Sequence, residues 1–275
     1  MIAEAAITAG GVWALRRLAH HAILRGLRAP RLRHSQGTGE QDFAVDRVCE
    51  VRIPGPRGRQ LFGWLVSPPV TVQRPAPAVL AMHGWGANAS MMWPVVPPLH
   101  TAGFAVLLID ARCHGRSDDE AFTSMPRFAE DIAAGLAWLR LQPDIAADRL
   151  ALLGHSVGAA AALLHASRHH DDVRAVVSLS AFAHPREVMR RFLAEKHVPY
   201  AGLGWYVMRH VEHVKVQRST RSRHCPPSPE CTAPCCWCTD AATASHRLPT
   251  HSGCTPPPHW RRCCRWRRAT ICVRR

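Results

Sequence analysis

A serine flanked on each side by a glycine two positions away is the sharpest chemical signal in the chain. The stretch Gly154-His155-Ser156-Val157-Gly158 follows the apolar run LALL and precedes the alanine-rich run AAAALLHASRHH. This G-x-S-x-G pattern in a strand–turn–helix setting holds a serine hydroxyl on a tight turn, where it can attack a carbonyl carbon. Amides at the start of the following helix favour developing negative charge. The pattern predicts a nucleophilic Ser156, and the alternative is a serine that only caps the helix.

A glycine-containing loop, HGWGANAS (83–90), could supply a backbone donor to the carbonyl oxygen of the group that the serine attacks. It follows the third strand-like run, and Gly84 and Gly86 let the backbone turn and approach a substrate closely. A carbonyl under attack becomes an oxyanion, which two backbone N–H groups must stabilise. We assign these donors to the amides of Trp85 and Val157. The alternative is an ordinary turn after a strand.

Short apolar runs and helical stretches alternate around these loops. Several of the runs are apolar on both faces, as in buried parallel strands. The alternation predicts an α/β fold with a doubly wound, mostly parallel sheet that ends after about the sixth strand. The predicted strands are 47–53, 60–66, 76–84, 105–111, 149–154 and 174–180, and the predicted helices are 91–102, 126–141 and 156–169.

The chain resembles the serine hydrolases of the α/β-hydrolase superfamily, which include esterases, lipases and serine-aminopeptidase-like members. The resemblance covers residues 45–214. Three motifs carry it: His83-Gly84-Trp85-Gly86, then Asp110 with His114-Gly115-Arg116-Ser117, then Gly154-His155-Ser156-Val157-Gly158. The resemblance implies a small-molecule ester substrate, an acyl-enzyme, and no metal or organic cofactor. Acyl transfer and aminopeptidase-like hydrolysis are alternatives on the same fold.

The resemblance also implies a catalytic Asp after the seventh strand and a catalytic His after the eighth, in the order Ser, Asp, His. His114 precedes the serine, and we therefore interpret it as a structural loop residue. Residues 215–275 show no apolar strand for the acid and base to follow. Residues of the right types do come later in the chain: Asp240, His246, His251 and His259. A triad needs rigid placement, so we expect the acid and base to be missing and the activity to be impaired.

The composition of residues 215–275 differs from that of the rest of the chain. This segment holds 12 Lys+Arg and 2 Asp+Glu, which is +10 of the net charge of +15. It also holds nine of the eleven cysteines. The first 214 residues contain only Cys49 and Cys113, and so few cysteines suit a reducing compartment. One interpretation is a binding protein whose basic tail holds zinc or nucleic acid. Another interpretation is a disulfide scaffold, in which one of the nine cysteines would remain unpaired.

A shifted reading frame is the third interpretation, and the genetic code supports it. If each codon begins with the third base of the present one, the run Pro-Cys-Cys-Trp-Cys (234–238) becomes an apolar residue followed by Leu-Leu-Val, because Cys and Trp codons begin with TG. The shifted codons also permit an Asp and a His at later turns. We therefore expect a frame disruption between Val214 and Thr220, and a disordered tail after it. No nucleic-acid partner follows from such a tail.

The N-terminal residues 1–44 are predicted to form a helical leader. Their apolar run is broken at Arg16, is too short to span a bilayer, and has no basic region before it. We predict a cytoplasmic protein, with an amphipathic helix at the inner face of a membrane as the alternative. The hydrolase core is predicted at 45–184 and a helical, cap-like segment at 185–214.

Overall fold

A computed structural model describes residues 47–182 without interruption, together with parts of 11–35, parts of 185–209, and two C-terminal strands. The chain divides into two compact units. One consists of Met1–Arg28 and Ala183–Cys235, and the other of Ala29–Phe182 and Cys236–Arg275. The motifs identified in the sequence all lie in the second unit.

Eight strands form one mixed sheet in the order β1-β2-β4-β3-β5-β6-β8-β7. Strands β4, β3, β5 and β6 pair in parallel, whereas β1, β2 and β4 pair antiparallel. Among the six strands predicted from the sequence, three of the five pairings are parallel, which confirms the predicted doubly wound, mostly parallel sheet. The strands are β1 (Val48–Pro54), β2 (Gln60–Val66), β3 (Ala76–Met82), β4 (Ala105–Ile109), β5 (Ile145–His155), β6 (Ala175–Leu179), β7 (Trp260–Trp266) and β8 (Ala269–Arg274).

Helices cover both faces of this sheet in the second unit. They are α1 (Val96–Thr101), α2 (Met125–Arg140) and α3 (Val157–Arg168), with 3-10 helices at Pro56–Gly58 and Ala89–Val95. Alternate residues of β3 enter different cores. Leu80 packs in the cluster that includes α2 and α3, whereas Val79 packs with the helix at Ala89–Val95 and with α1. Burial on both faces explains why the strands read as continuous apolar runs.

All six strands predicted from the sequence are present, but β7 and β8 were not predicted. Strand β8 pairs antiparallel with β6, from Ala175↔Val273 to Leu179↔Ala269, and β7 pairs antiparallel with β8. The tail is therefore not irregular throughout, because its last residues cover the β6 edge of the sheet. Residues 211–259, which include the expected frame disruption and six of the nine cysteines of the tail, lie outside the described residues.

The first unit contributes helical segments. Helix α4 spans Pro185–Glu195, within the segment predicted to resemble a cap. Helical backbone also occurs at 17–22, where the Arg17 guanidinium lies 4.9 Å from the centre of the exposed Trp13 ring. In the part of the chain that the structure describes, no helix has both the length and the apolar character needed to cross a membrane.

Candidate active site

Ser156 stands at the turn between β5 and α3 in a strained backbone conformation. Its φ of 52° and ψ of −114° fall in a region that residues other than glycine rarely adopt, at a cost of about 1–3 kcal/mol. The Ser156 N–H donates to the Leu179 carbonyl at 2.8 Å, and the Ser156 carbonyl accepts from the Ala160 N–H at 3.0 Å. The Ser156 side chain makes no capping hydrogen bond to α3, so capping does not explain this serine.

The glycines on either side of the serine are required by steric contacts. A Cβ added to Gly154 would lie 2.5 Å from the backbone nitrogen of Ala159. A Cβ added to Gly158 would lie 2.3 Å from the His83 carbonyl oxygen and 2.5 Å from the Met82 carbonyl oxygen. These neighbours are backbone atoms, which cannot move aside as a flexible side chain can. The turn therefore accepts only glycine at both positions.

The loop after β3 lies against this turn. A Cβ added to Gly84 would be 3.3 Å from the Ser156 Cβ and 3.2 Å from Nδ1 of the exposed His155. Among the described residues, the backbone N–H groups of Trp85 and Val157 have no hydrogen-bond partner. One of these amides directly follows Gly84 and the other directly follows the serine. Both can therefore donate to a bound group.

His83 is a buried structural residue that links the loops after β3 and β4. The Ala111 N–H donates to its Nε2 at 3.0 Å, so Nδ1 carries the proton and donates to the Gly84 carbonyl at 2.7 Å. Burial lowers the pKa of His83, although the Asp110 charge acts in the opposite direction. The ring is therefore neutral, and its acceptor nitrogen is already occupied.

His114 is held in the same way. The Gly86 N–H donates to its Nε2 at 3.2 Å, and its Nδ1 donates to the Arg112 carbonyl at 3.0 Å. Burial lowers the pKa of His114 to about 4. These contacts confirm that His114 is a structural loop residue, because neither nitrogen is free to take a proton from a serine. The sequence also placed Gly86 in this loop, and its φ of 69° suits glycine.

Asp110 is a fully buried carboxylate that joins three segments. Its Oδ1 accepts from the Ala89 N–H at 2.7 Å, and its Oδ2 accepts from the Arg116 N–H at 2.7 Å and from His34 Nε2 at 2.8 Å. Burial alone would raise the pKa of Asp110, but the hydrogen bond from His34 and the other favourable contacts hold that pKa below its ordinary value. A Cβ added to Gly115 would lie 2.0 Å from Oδ2, so this loop also requires glycine.

Sequence reasoning missed the contribution of residues 30–35, which it assigned to the leader. Pro30, Arg31 and His34 contact the loops after β3 and β4. No motif or periodicity in this stretch marks these contacts, since they depend on single side chains and on backbone carbonyls.

The later candidates for a catalytic acid and base lie outside the described residues: Asp240, His246, His251 and His259. The expected loss of acid and base therefore stays a prediction. Among the residues whose positions the structure describes, no cluster of three or more His, Cys, Asp or Glu could hold a metal ion.

Comparison with known proteins identifies the family. The family described as serine aminopeptidase, S33, matches residues 73–230. A pimeloyl-[acyl-carrier protein] methyl ester esterase of Neisseria meningitidis is 37% identical over 105 residues, which are 38% of this chain and 36% of that protein. A polyketide transferase of Aspergillus fumigatus is 31% identical over 137 residues, 49% of this chain and 45% of that protein. The chain thus spans less than half the length of these curated relatives.

A solved structure is similar to this chain in fold. An esterase of Pyrococcus furiosus superposes with a TM-score of 0.52 at 22% identity, covering 66% of this chain and 67% of that one. The likeness shows a shared fold. The chain belongs to the serine aminopeptidase (S33) family of the α/β-hydrolase superfamily.

Proposed function

We propose that the chain carries the site of a serine esterase, with Ser156 as its nucleophile. The backbone of Ser156, held at a φ of 52° while its side chain makes no capping bond, is the observation that carries this proposal. Such strain persists only where the surrounding structure enforces it, and it concentrates at active sites. The ester-cleaving relative from Neisseria supports an ester as the substrate.

In the proposed reaction, the Ser156 hydroxyl oxygen attacks the ester carbonyl carbon and its proton passes to a base. The carbonyl oxygen becomes an oxyanion that accepts hydrogen bonds from the Trp85 and Val157 amides. Each such donor typically contributes about 3 kcal/mol to transition-state stabilisation. Collapse of the tetrahedral intermediate releases the alcohol, and water then hydrolyses the acyl-enzyme.

Exposed apolar side chains in the loop after β3, and in the 3-10 helix that follows it, favour an apolar acyl group. The Trp85 side chain is 37% exposed and stacks on the buried Phe128 ring with 6.5 Å between ring centres. Met91 is also exposed, whereas its neighbours Met92 and Trp93 belong to the core. Trp85 and Met91 are therefore the candidates for contact with the acyl chain.

We also propose that this chain lacks the base that would activate Ser156. His83 and His114 already use both ring nitrogens, and the later histidines His246, His251 and His259 follow no strand predicted from the sequence. Loss of the activating base costs roughly 10⁶ in turnover, while oxyanion stabilisation and binding retain roughly 10³–10⁴ over water. Sequencing of the gene from the codon for residue 205 onward tests the frame. A one- or two-base change that restores the Leu-Leu-Val strand with Asp and His after it supports a disrupted parent enzyme.

Hydrolysis of p-nitrophenyl butyrate, with the matching anilide as the amide control, tests the function. We expect slow ester cleavage that Ser156→Ala abolishes, and cleavage faster by roughly 10³-fold or more in a chain with the restored frame. Ester cleavage that survives Ser156→Ala in both chains would show that the serine is not the nucleophile. Faster cleavage of the anilide than of the ester would favour aminopeptidase-like chemistry.

A further inference from the structure

Residues 30–35, which we name the strap, contact the loop that carries Trp85. We propose that the strap is a positioning element for this loop and that His34 is its principal positioning residue. This inference rests on the proposed function, because it gives the strap a purpose only if the Trp85 amide receives an oxyanion.

The strap holds the loop directly through hydrogen bonds to buried groups. Asn88, fully buried, donates from Nδ2 to the carbonyls of Leu32 and Arg33, each at 3.1 Å. The same Asn88 accepts from the Ser90 N–H at 3.1 Å and so begins the 3-10 helix at Ala89–Val95. The strap backbone therefore fixes the residue that ends the loop.

Two further contacts fix the loop on either side of Asn88. Pro30 packs on Gly86, where an added Cβ would lie 3.0 Å from the Pro30 Cγ. The Ser35 hydroxyl lies 3.1 Å from the Ser90 hydroxyl. Gly86 directly follows Trp85, so the strap makes contact one residue from the proposed oxyanion donor.

His34 holds the loop indirectly through Asp110. Its Nε2 lies 2.8 Å from Asp110 Oδ2, and the other carboxylate oxygen accepts from the Ala89 N–H at 2.7 Å. The His34 ring packs at 5.1 Å from the Phe62 ring and 4.6 Å from the Trp64 ring, which sets its orientation. Removal of His34 would leave the buried carboxylate with fewer donors, and a carboxylate in that state recruits water or moves.

The strap also forms hydrogen bonds with the loop after β4. Arg31 donates to the Gly115 carbonyl at 3.0 Å and to the Ser117 carbonyl at 2.9 Å, and it pairs with Asp119 at 2.7 Å. The strap thus crosses both loops that follow adjacent strands. A segment placed in this way can fix the Trp85 amide to within the fraction of an ångström that oxyanion stabilisation requires.

The experiment compares His34→Ala with His165→Ala in the full chain. His165 is the matched control, because it is buried and pairs with Asp172 at 3.0 Å but belongs to α3 and contacts neither loop. The readouts are the rate of fluorophosphonate labelling at Ser156, hydrogen exchange of residues 84–90 by mass spectrometry, and the melting temperature of each variant. His34→Gln, which keeps a donor for Asp110, tests rescue.

We expect His34→Ala to slow labelling by roughly 10-fold or more and to speed exchange at residues 84–90. His165→Ala should leave both readouts unchanged even if its melting temperature falls as far as that of His34→Ala. His34→Gln should recover part of the labelling rate. Should His34→Ala fail to fold, Ser35→Ala is expected to speed the same exchange more weakly.

The two proposals fail differently. If the parent chain is not labelled at Ser156, the proposed function is wrong. Faster exchange at residues 84–90 in His34→Ala would even then show that the strap positions this loop. If exchange at 84–90 is the same in His34→Ala as in the parent chain, the strap does not position the loop and the inference is overturned. Equal slowing of labelling by His165→Ala would also overturn it, because the effect would then be one of general stability.

Discussion

At the residue scale, the site depends on histidines that are kept neutral. His114 is buried and uses both ring nitrogens in hydrogen bonds to the backbone, as His83 does. Protonation of His114 would add a proton to Nε2, which now accepts the hydrogen bond from the Gly86 N–H. Burial is the main reason why the pKa of His114 is lowered to about 4.

The pH dependence of stability follows from this neutral state. Between the unfolded pKa of 6.5 and the folded pKa of about 4, the unfolded chain binds more protons at His114 than the folded chain does. The free energy of unfolding should therefore fall as pH falls from 6.5 towards 4, by about 3 kcal/mol from this residue. Urea unfolding at several pH values should show a flatter slope in His114→Gln.

His83, buried like His114 and with a pKa that burial also lowers, should keep part of the slope in His114→Gln. Identical slopes in His114→Gln and the parent chain would contradict the neutral, buried state of this ring.

At the scale of elements, close backbone contacts leave no room for a side chain at two positions of the turn between β5 and α3. Gly158 lies so close to the carbonyl oxygens of Met82 and His83 that an added Cβ would clash with both. Gly158→Ala should therefore lower the free energy of unfolding by about 1–3 kcal/mol and slow any labelling of Ser156. Gly11→Ala is the control, since nothing lies within 4 Å of an added Cβ there. An unchanged free energy of unfolding in Gly158→Ala would show that the turn is looser than its geometry indicates.

The elements that the sequence predicts well are those whose patterns have local physical causes. Strands β3 to β6 are apolar because they are buried on both faces, and G-x-S-x-G is readable because steric contacts demand its glycines. The strap could not be predicted in this way. Its contacts join residues more than fifty positions apart through carbonyls, and carbonyls are present in every sequence. Asp110 was recognised as a loop residue, but its partner His34 has no local pattern.

At the scale of the whole molecule, the hydrolase motifs and the unusual composition occupy different parts of the chain. The motifs fall within residues 73–230, which match the family, whereas most of the positive charge and of the cysteines falls after residue 214. A sheet of this kind exposes an edge where it ends, and here the β7–β8 hairpin covers the β6 edge. The hairpin pairs antiparallel with β6, whereas β3 to β6 pair in parallel with one another. We therefore expect that the tail completes the sheet without supplying the catalytic acid and base.

Labelling by a fluorophosphonate probe shows whether Ser156 is the nucleophile. The folded chain is exposed to excess probe and digested with trypsin, and the modified residue is located by mass spectrometry. We predict slow, single-site labelling in the peptide Leu150–Arg168, at Ser156, and its complete loss in Ser156→Ala. A folded chain that stays unlabelled at Ser156 after prolonged exposure, or equal labelling of the Ser156→Ala variant, would show that Ser156 is not the nucleophile.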